Sequence, residues 1–423
     1  MTKTAYIFII IAILLGAYSC NNNEKSKAKH RPIKAIHNIR YSQYIPTDGD
    51  ISGGIIVIMD PHSKPYLVMD SLHAYADEHN LALIGIKDIK NGIRNYNEII
   101  NRDLNQFIEN KAIGRIRVYL LGFSGAARMA EYFASTHKID GLIMCGAGMR
   151  RVNQLPFPTV LLAGTKDFNF LEQYYDINDK LTVNKNIISI NFIGKHQWPP
   201  IETIMIGMDF IINRKKGGSS LLSDYYEQQS ISYMNNKNYY FAFKSMEIAY
   251  KFSNNADTDE ALSKLSAIKN NPNVKRYFDR TNLYIEEEMN RYKSLTEAME
   301  IQDLKWWTNQ LNYINHRSNK KDPISSNSYA RTKSYLGLVA FSKIDHALSG
   351  KGNADLLSKY MDIYELLEPR SPYLFFFKAV NSYRVGDYER AKAEMVFAKE
   401  YDFDDKEMAY RYFSSEFINK VCI

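Results

Sequence analysis

Six short, almost uninterrupted apolar runs lie between Gly53 and Asn213, and they set the narrowest limit on what this chain can fold into. They are Gly54–Met59, Leu81–Ile86, Ile116–Leu121, Gly141–Cys145, Thr159–Ala163 and Ile187–Ile193. A strand with one wet face alternates apolar and polar residues, so runs like these belong to strands covered on both faces. Between the second and third runs, Tyr96, Ile99, Ile100, Leu104, Phe107 and Ile108 recur at helical spacing. Strands alternating with helices predict an α/β fold with a mostly parallel sheet and helices on both faces. Ligands of such sheets bind beyond the carboxyl ends of the strands.

The third run leads into Gly122-Phe123-Ser124-Gly125-Ala126, and the helix-forming stretch Ala127–Tyr132 follows. A serine on a sharp strand-to-helix turn needs small neighbours, because a side chain at either flank would collide with the adjoining elements. The turn exposes the hydroxyl and leaves the next backbone N–H free for an oxyanion. A serine nucleophile also needs a base to take its proton and an acid to orient that base. The fifth run ends in Gly164-Thr165-Lys166-Asp167, which puts Asp167 at a strand's carboxyl end, where it can orient a base or cap the following turn. The sixth ends in Gly194-Lys195-His196-Gln197-Trp198-Pro199, so His196 also lies just past a strand end. The chain order Ser124, Asp167, His196 is that of one known hydrolase topology and differs from other serine-protease orders.

Residues 50–213 resemble the α/β-hydrolase superfamily, in particular its small secreted esterase and dienelactone-hydrolase-like members. The serine turn, the Gly-Thr-Lys-Asp167 turn and the Gly-Lys-His196-Gln-Trp loop carry the resemblance. It implies Ser124 as nucleophile, His196 as general base, Asp167 as its orienter and the Gly125 N–H as one oxyanion donor. The second donor of such enzymes comes from the loop after the first of these strands, here Asp60-Pro61-His62-Ser63. Pro61 has no N–H, which leaves the backbone of His62 or Ser63. The sequence departs from the family pattern at Ala126, where a second glycine is usual, and at Pro-His-Ser, where His-Gly-Gly is usual. The implied substrate is a small ester, with no metal or organic cofactor. The stretch between Cys145 and Thr159 is too short for an inserted helical lid, so the site is either open to solvent or covered by the rest of the chain. Arg150 and Arg151 in that stretch read as solvated, with recognition of an acidic substrate as the alternative.

The remainder of the chain frames this domain. Lys3 followed by the apolar core Ala5–Leu15 and Gly16-Ala17-Tyr18-Ser19-Cys20 resembles a bacterial lipoprotein signal, with Cys20 lipidated and residues 1–20 a targeting segment. A plain secretory signal with a chance cysteine is the alternative. Residues 21–49 read as a polar tether, and its cations from Lys25 to Lys34 read as solvated or weakly attracted to an anionic membrane. The expected location is therefore the cell envelope, anchored by lipid. Of the other cysteines, Cys145 reads as a buried small hydrophobe and Cys422 lies in the terminal tail, a pair that suggests neither a disulfide framework nor a metal site. A net charge of +7 over 423 residues, spread along the chain, makes no case for nucleic acid.

Arg214–Ser220 reads as a Gly/Ser-rich linker, and strand signals vanish beyond it. Two windows in residues 221–423 share a spacing: Tyr239 with Ala242, Met246 and Ala249, and Tyr388 with Ala391, Met395 and Ala398. Small residues at those positions let paired helices approach closely, in a pattern that resembles the tetratricopeptide repeat. The expectation is an all-α repeat domain of three or four helix pairs that covers the site or binds a protein partner. Two functions follow. One is an envelope serine hydrolase working through an acyl-enzyme; the other is a binding or assembly lipoprotein whose hydrolase-fold domain has little or no activity.

Overall fold

The computed structural model describes residues 40–110, 115–150, 156–174, 184–214, 218–254 and 256–421. Cys20, the basic stretch Lys25–Lys34, Arg151 and Cys422 lie outside these residues.

Seven strands form one sheet, in the order β1-β3-β2-β4-β5-β6-β7. They are β1 (Tyr41–Tyr44), β2 (Gly54–Met59), β3 (Leu81–Ile86), β4 (Val118–Phe123), β5 (Gly141–Cys145), β6 (Thr159–Gly164) and β7 (Ile187–Phe192). All neighbours from β3 to β7 run parallel, and β1 pairs antiparallel on the outer edge, with Tyr41 opposite Ile86. This is the mostly parallel sheet of an α/β fold that the sequence leads one to expect. One boundary needs correction: β1 falls inside residues 21–49, which read as a tether. Its Tyr-Ser-Gln-Tyr alternates buried and half-buried side chains, so it is an edge strand with one face on the core.

Successive strand residues point into two separate cores. Ile56, Ile58, Leu121, Ile143 and Val160 pack with helix α2 (His73–His79) and helix α5 (Ile201–Arg214), α1 being the single turn Tyr66–Met69. Ile55, Val57, Leu120, Leu142 and Met144 pack with α3 (Tyr96–Asn110) and α4 (Ser124–Thr136). Both faces are therefore dry, which is why these strands show no polar alternation. Cys145 is fully buried, and burial pushes its thiol well above the usual range, so it is packing rather than chemistry.

The winding direction reverses at β2. The chain goes from β2 outward to β3, then crosses back to β4 on the other side of β2. A crevice opens at such a reversal, beyond the carboxyl ends of β2 and β4. Those ends are Met59 and Phe123, directly before Asp60 and Ser124.

From Ser220 on, the described residues are helical or connecting. The helices are α6 (Ser220–Asn235), α7 (Tyr239–Phe252), α8 (Thr258–Lys269), α9 (Pro272–Ile301), α10 (Leu304–Ser318), α11 (Pro323–Leu348), α12 (Leu357–Leu367), α13 (Pro372–Arg384), α14 (Tyr388–Glu400), α15 (Lys406–Tyr412) and α16 (Ser415–Val421). The two windows of like spacing are α7 and α14, each the second arm of a helical hairpin. Ala242, Ala249, Ala391 and Ala398 are buried, and the Ser230 and Ser223 hydroxyls of α6 donate to the carbonyls of Ala242 and Ala249 at 2.7 and 2.9 Å. A bulkier residue at those alanines would push the arms apart. In the described part of the expected linker, Ser219 caps α6, and a Cβ on Gly218 would come 2.6 Å from the Phe252 carbonyl oxygen. The core beneath α5 continues through Tyr226, Met246 and Phe252, so the sheet and these helices share apolar packing.

One buried carboxylate makes this core pH-sensitive. Asp209 on α5 accepts the Tyr75 hydroxyl at 2.7 Å. Burial raises its carboxyl from 3.8 to about 6, opposed by that hydrogen bond. Between those values the folded chain holds a proton that the unfolded chain has lost, so stability falls as pH rises through the window. Above it, the buried charge costs at most about 3 kcal/mol. Asp209→Asn keeps an acceptor for Tyr75 and removes the charge. We expect it to raise the melting temperature at pH 8 and to leave it unchanged near pH 3.5, as read by thermal denaturation at both values.

Candidate active site

The site is assembled from the ends of five strands, β2, β4, β5, β6 and β7. β4 is extended through Phe123, and Ser124 then takes φ +50° as the first residue of α4. A non-glycine residue in the left-handed region costs roughly 1–3 kcal/mol and persists only where its surroundings impose it. Here they do. A Cβ on Gly122 would lie 2.7 Å from the Ala127 Cα, so the strand and the helix touch backbone to backbone. The turn lifts the Ser124 hydroxyl off the sheet. Gly125, second in the helix, carries one of the amides that a helix leaves without an internal acceptor.

The structure brings together the three residues that the sequence singled out. His196 Nε2 lies 2.8 Å from Ser124 Oγ, and its Nδ1 lies 3.0 Å from both carboxylate oxygens of Asp167. With its proton on Nδ1, the imidazole donates to Asp167 and accepts from the serine, the arrangement required of a base about to take the hydroxyl proton. Asp167 is fully buried, and its Oδ1 also accepts from the Asn169 N–H at 2.8 Å. Two rings pack on the His196 imidazole, Phe123 at 4.9 Å and Phe168 at 4.5 Å between centroids. The loops carrying the acid and the base are stitched together: the Lys166 N–H donates to the Gly194 carbonyl at 2.8 Å, and Gly164 faces that carbonyl too closely for any side chain.

Residues outside the sequence reading complete the shell. Gly146 has φ +62°, and a Cβ there would come 2.9 Å from Phe123 Cε2, 3.1 Å from His196 Cε1 and 3.2 Å from Asp167 Oδ2. Asn169 donates to its carbonyl at 2.7 Å. Asp60, 2% exposed, accepts from Trp198 Nε1 at 2.9 Å and so ties the His196 loop to the end of β2. Trp198 in turn stacks on Phe123. The carboxamide of Asn91 lies against the Gly125 Cα, beside the serine turn.

The expectation for the second oxyanion donor is corrected. The His62 N–H donates to Asp60 Oδ1 at 2.8 Å, and the Ser63 N–H donates to the Asp60 carbonyl at 3.1 Å. Both amides close a turn around Asp60, a role Asp side chains fill at turn starts, and neither is free for a ligand here. The His62 ring is 54% exposed and reaches toward Asp60, not Ser124. Arg150 is exposed, with its backbone N–H on Glu131 at 2.8 Å.

The helical region reaches both rims of the crevice. Just before α15, Asp404 pairs with Lys64 at 2.6 Å, and Glu407 within α15 pairs with Lys90, next to Asn91. On the other rim, Tyr240 donates to Asn191 at 2.6 Å and Tyr174 to Asn282 at 2.7 Å. Deepest is Arg331 on α11. It donates to the Thr165 carbonyl at 2.7 Å, two residues before Asp167, and forks onto Glu288 of α9 at 2.8 and 2.6 Å. Its guanidinium lies over the Phe170 ring. The C-terminal helices thus contact the loops beside the site, while His196 keeps 21% of its side chain exposed.

No protein-family model and no curated protein sequence matches this chain. Among solved structures it is similar to the substrate-bound fluorophosphonate-binding serine hydrolase F (FphF) of Staphylococcus aureus, at 15% identity and TM-score 0.34, covering 41% of this chain and 92% of that one. It is similar to an alpha-beta serine hydrolase homologue from Coxiella burnetii at 15% identity and TM-score 0.33, covering 44% of this chain and 99% of that one. For esterase PE8 the identity is 11% and the TM-score 0.32, covering 40% and 96%.

Proposed function

We propose that this protein is a serine hydrolase of the bacterial cell envelope that cleaves a carboxylic ester through an acyl-enzyme on Ser124. The observation that carries the reading is the continuous hydrogen-bonded line from Ser124 Oγ through His196 to the buried Asp167. As Oγ attacks the ester carbonyl carbon, its proton passes to His196 Nε2, and the carbonyl electron pair becomes an oxyanion held by the Gly125 N–H. Collapse expels the alkoxide, which takes the proton back from His196. Water, deprotonated by the same nitrogen, then releases the acid and frees the serine. Asp167 steadies the imidazolium in between and itself stays ionised. The Cys20 pattern supports lipid anchoring, and the tetratricopeptide-like spacing of α7 and α14 supports a protein partner for the helical region.

A second reading, a binding or assembly lipoprotein with an idle hydrolase domain, is favoured by one observation. The amides of His62 and Ser63 are both engaged by Asp60, which leaves the Gly125 side of the oxyanion site alone. Esters of p-nitrophenol with acyl chains from acetyl to palmitoyl, offered to the detergent-solubilised full chain, separate the two. Saturable turnover on any of them supports the enzyme. Rates no higher than those of Ser124→Ala across the whole series favour the binding protein.

A further inference from the structure

A second cleft opens between the acid loop and the helical region. Its volume is about 520 Å³, within the span of small-molecule sites, roughly 300–1,000 Å³. Ser124, Asp167 and His196 are not among the residues lining it. Its charge is one-sided. Lys166 comes from the acid loop, Lys237 from the turn between α6 and α7, and Lys320 and Lys321 from the turn between α10 and α11. No carboxylate is among its lining residues, and none of these lysines has an ion-pair partner among the described residues. The carboxylates nearby are committed elsewhere. Glu288 neutralises Arg331, and Asp322 pairs with Arg280 at 2.8 Å.

Three segments far apart in sequence therefore bring four like charges to one cleft. An anion bound in the cleft would meet these positive charges without a competing carboxylate on the lining, and low-dielectric walls would focus their field on it. Aromatic rings line part of the wall, among them the half-buried Tyr277 and Tyr284. Rings of this kind offer an apolar face and a hydroxyl tip to a flat, partly polar ligand body. We propose that this cleft is a binding site, separate from the serine site, for a small polyanion built on a ring: an acidic sugar bearing carboxylates or phosphates. The proposal stands whether or not the chain hydrolyses esters.

Calorimetric titration of the full chain tests it with two probes, trigalacturonate for the carboxylates and glucose 1,6-bisphosphate for the phosphates. Maltotriose serves as the neutral ring and inorganic phosphate as the ringless anion. Lys237, Lys320 and Lys321 are exposed and lie in turns, so the variant Lys237→Gln/Lys320→Gln/Lys321→Gln is expected to keep the wild-type melting temperature. The expected result is 1:1 binding of at least one polyanion. It should weaken by about tenfold or more in that variant, and should weaken again as salt is raised. Whichever polyanion binds identifies the charged group. The proposal is overturned if neither binds, if the triple variant binds as tightly as wild type, or if maltotriose or inorganic phosphate binds as tightly as the polyanions.

Discussion

Replacing Ser124 with alanine is expected to remove ester turnover by about 10⁴- to 10⁶-fold while leaving the fold and its melting temperature essentially intact. The substitution deletes one oxygen atom and leaves His196 held between Phe123, Phe168 and Asp167. Among the described residues, Ser124 carries the hydroxyl that His196 Nε2 contacts, whereas the Ser63 hydroxyl donates to the Ile89 carbonyl. Residues that act as a unit fail together. Ser124→Ala combined with His196→Ala should therefore be scarcely slower than either alone, which steady-state kinetics on a reactive p-nitrophenyl ester will read. Additive losses would mean that the two side chains contribute separately and that their 2.8 Å contact is not the working one.

The largest effect on stability is expected at Arg331, far from Ser124 in sequence. Its guanidinium is buried, forked onto Glu288 and bonded to the Thr165 carbonyl. Removing one member of a buried ion pair strands the other, at a cost of about 3–5 kcal/mol. Arg331→Met should therefore destabilise the chain by that order in urea denaturation. Replacing the whole network is different. Tyr292 also donates to Glu288, at 2.8 Å, so Arg331→Met, Glu288→Met and Tyr292→Phe together remove every side chain of the network and leave only the Thr165 carbonyl without its donor. That combination should recover most of the stability, since buried pairs exchanged for apolar residues of similar volume are often neutral or better. It does not restore the bond to Thr165. If the helical region positions the acid loop, the triple variant folds well yet stays below wild type in kcat, because small displacements of Asp167 misalign His196. Full recovery of both quantities would reduce Arg331 to a packing element.

These two predictions differ in how far the sequence alone could have led to them. Strand bounds for β2, β3, β5 and β6 were legible to within a residue, because continuous apolar runs closed by Gly or Asp have few other readings. Ser124, Asp167 and His196 were legible for the same reason, each being fixed relative to a strand end. β1 was not: four residues of alternating Tyr, Ser and Gln carry too short a period to stand out from a polar segment. The loop after β2 misled, since nothing in Asp60-Pro61-His62-Ser63 shows that a turn around Asp60 will consume the amides of His62 and Ser63. Gly146 gave no signal, because its lack of a side chain matters only against Phe123, His196 and Asp167, which arrive from other strands. Nor did Arg331, whose bond to Thr165 spans 166 residues of chain. Periodicity reports local cover and strand ends; it is silent on which distant side chain will close a gap between two elements.

The central claim is that Ser124 is an activated nucleophile. It is tested most directly by treating the solubilised chain with a fluorophosphonate probe and locating the modified residue by peptide mass spectrometry. One modified peptide is expected, with the adduct on Ser124, absent from Ser124→Ala and strongly slowed in His196→Ala. An adduct on any other residue, or labelling that survives in Ser124→Ala, would contradict it.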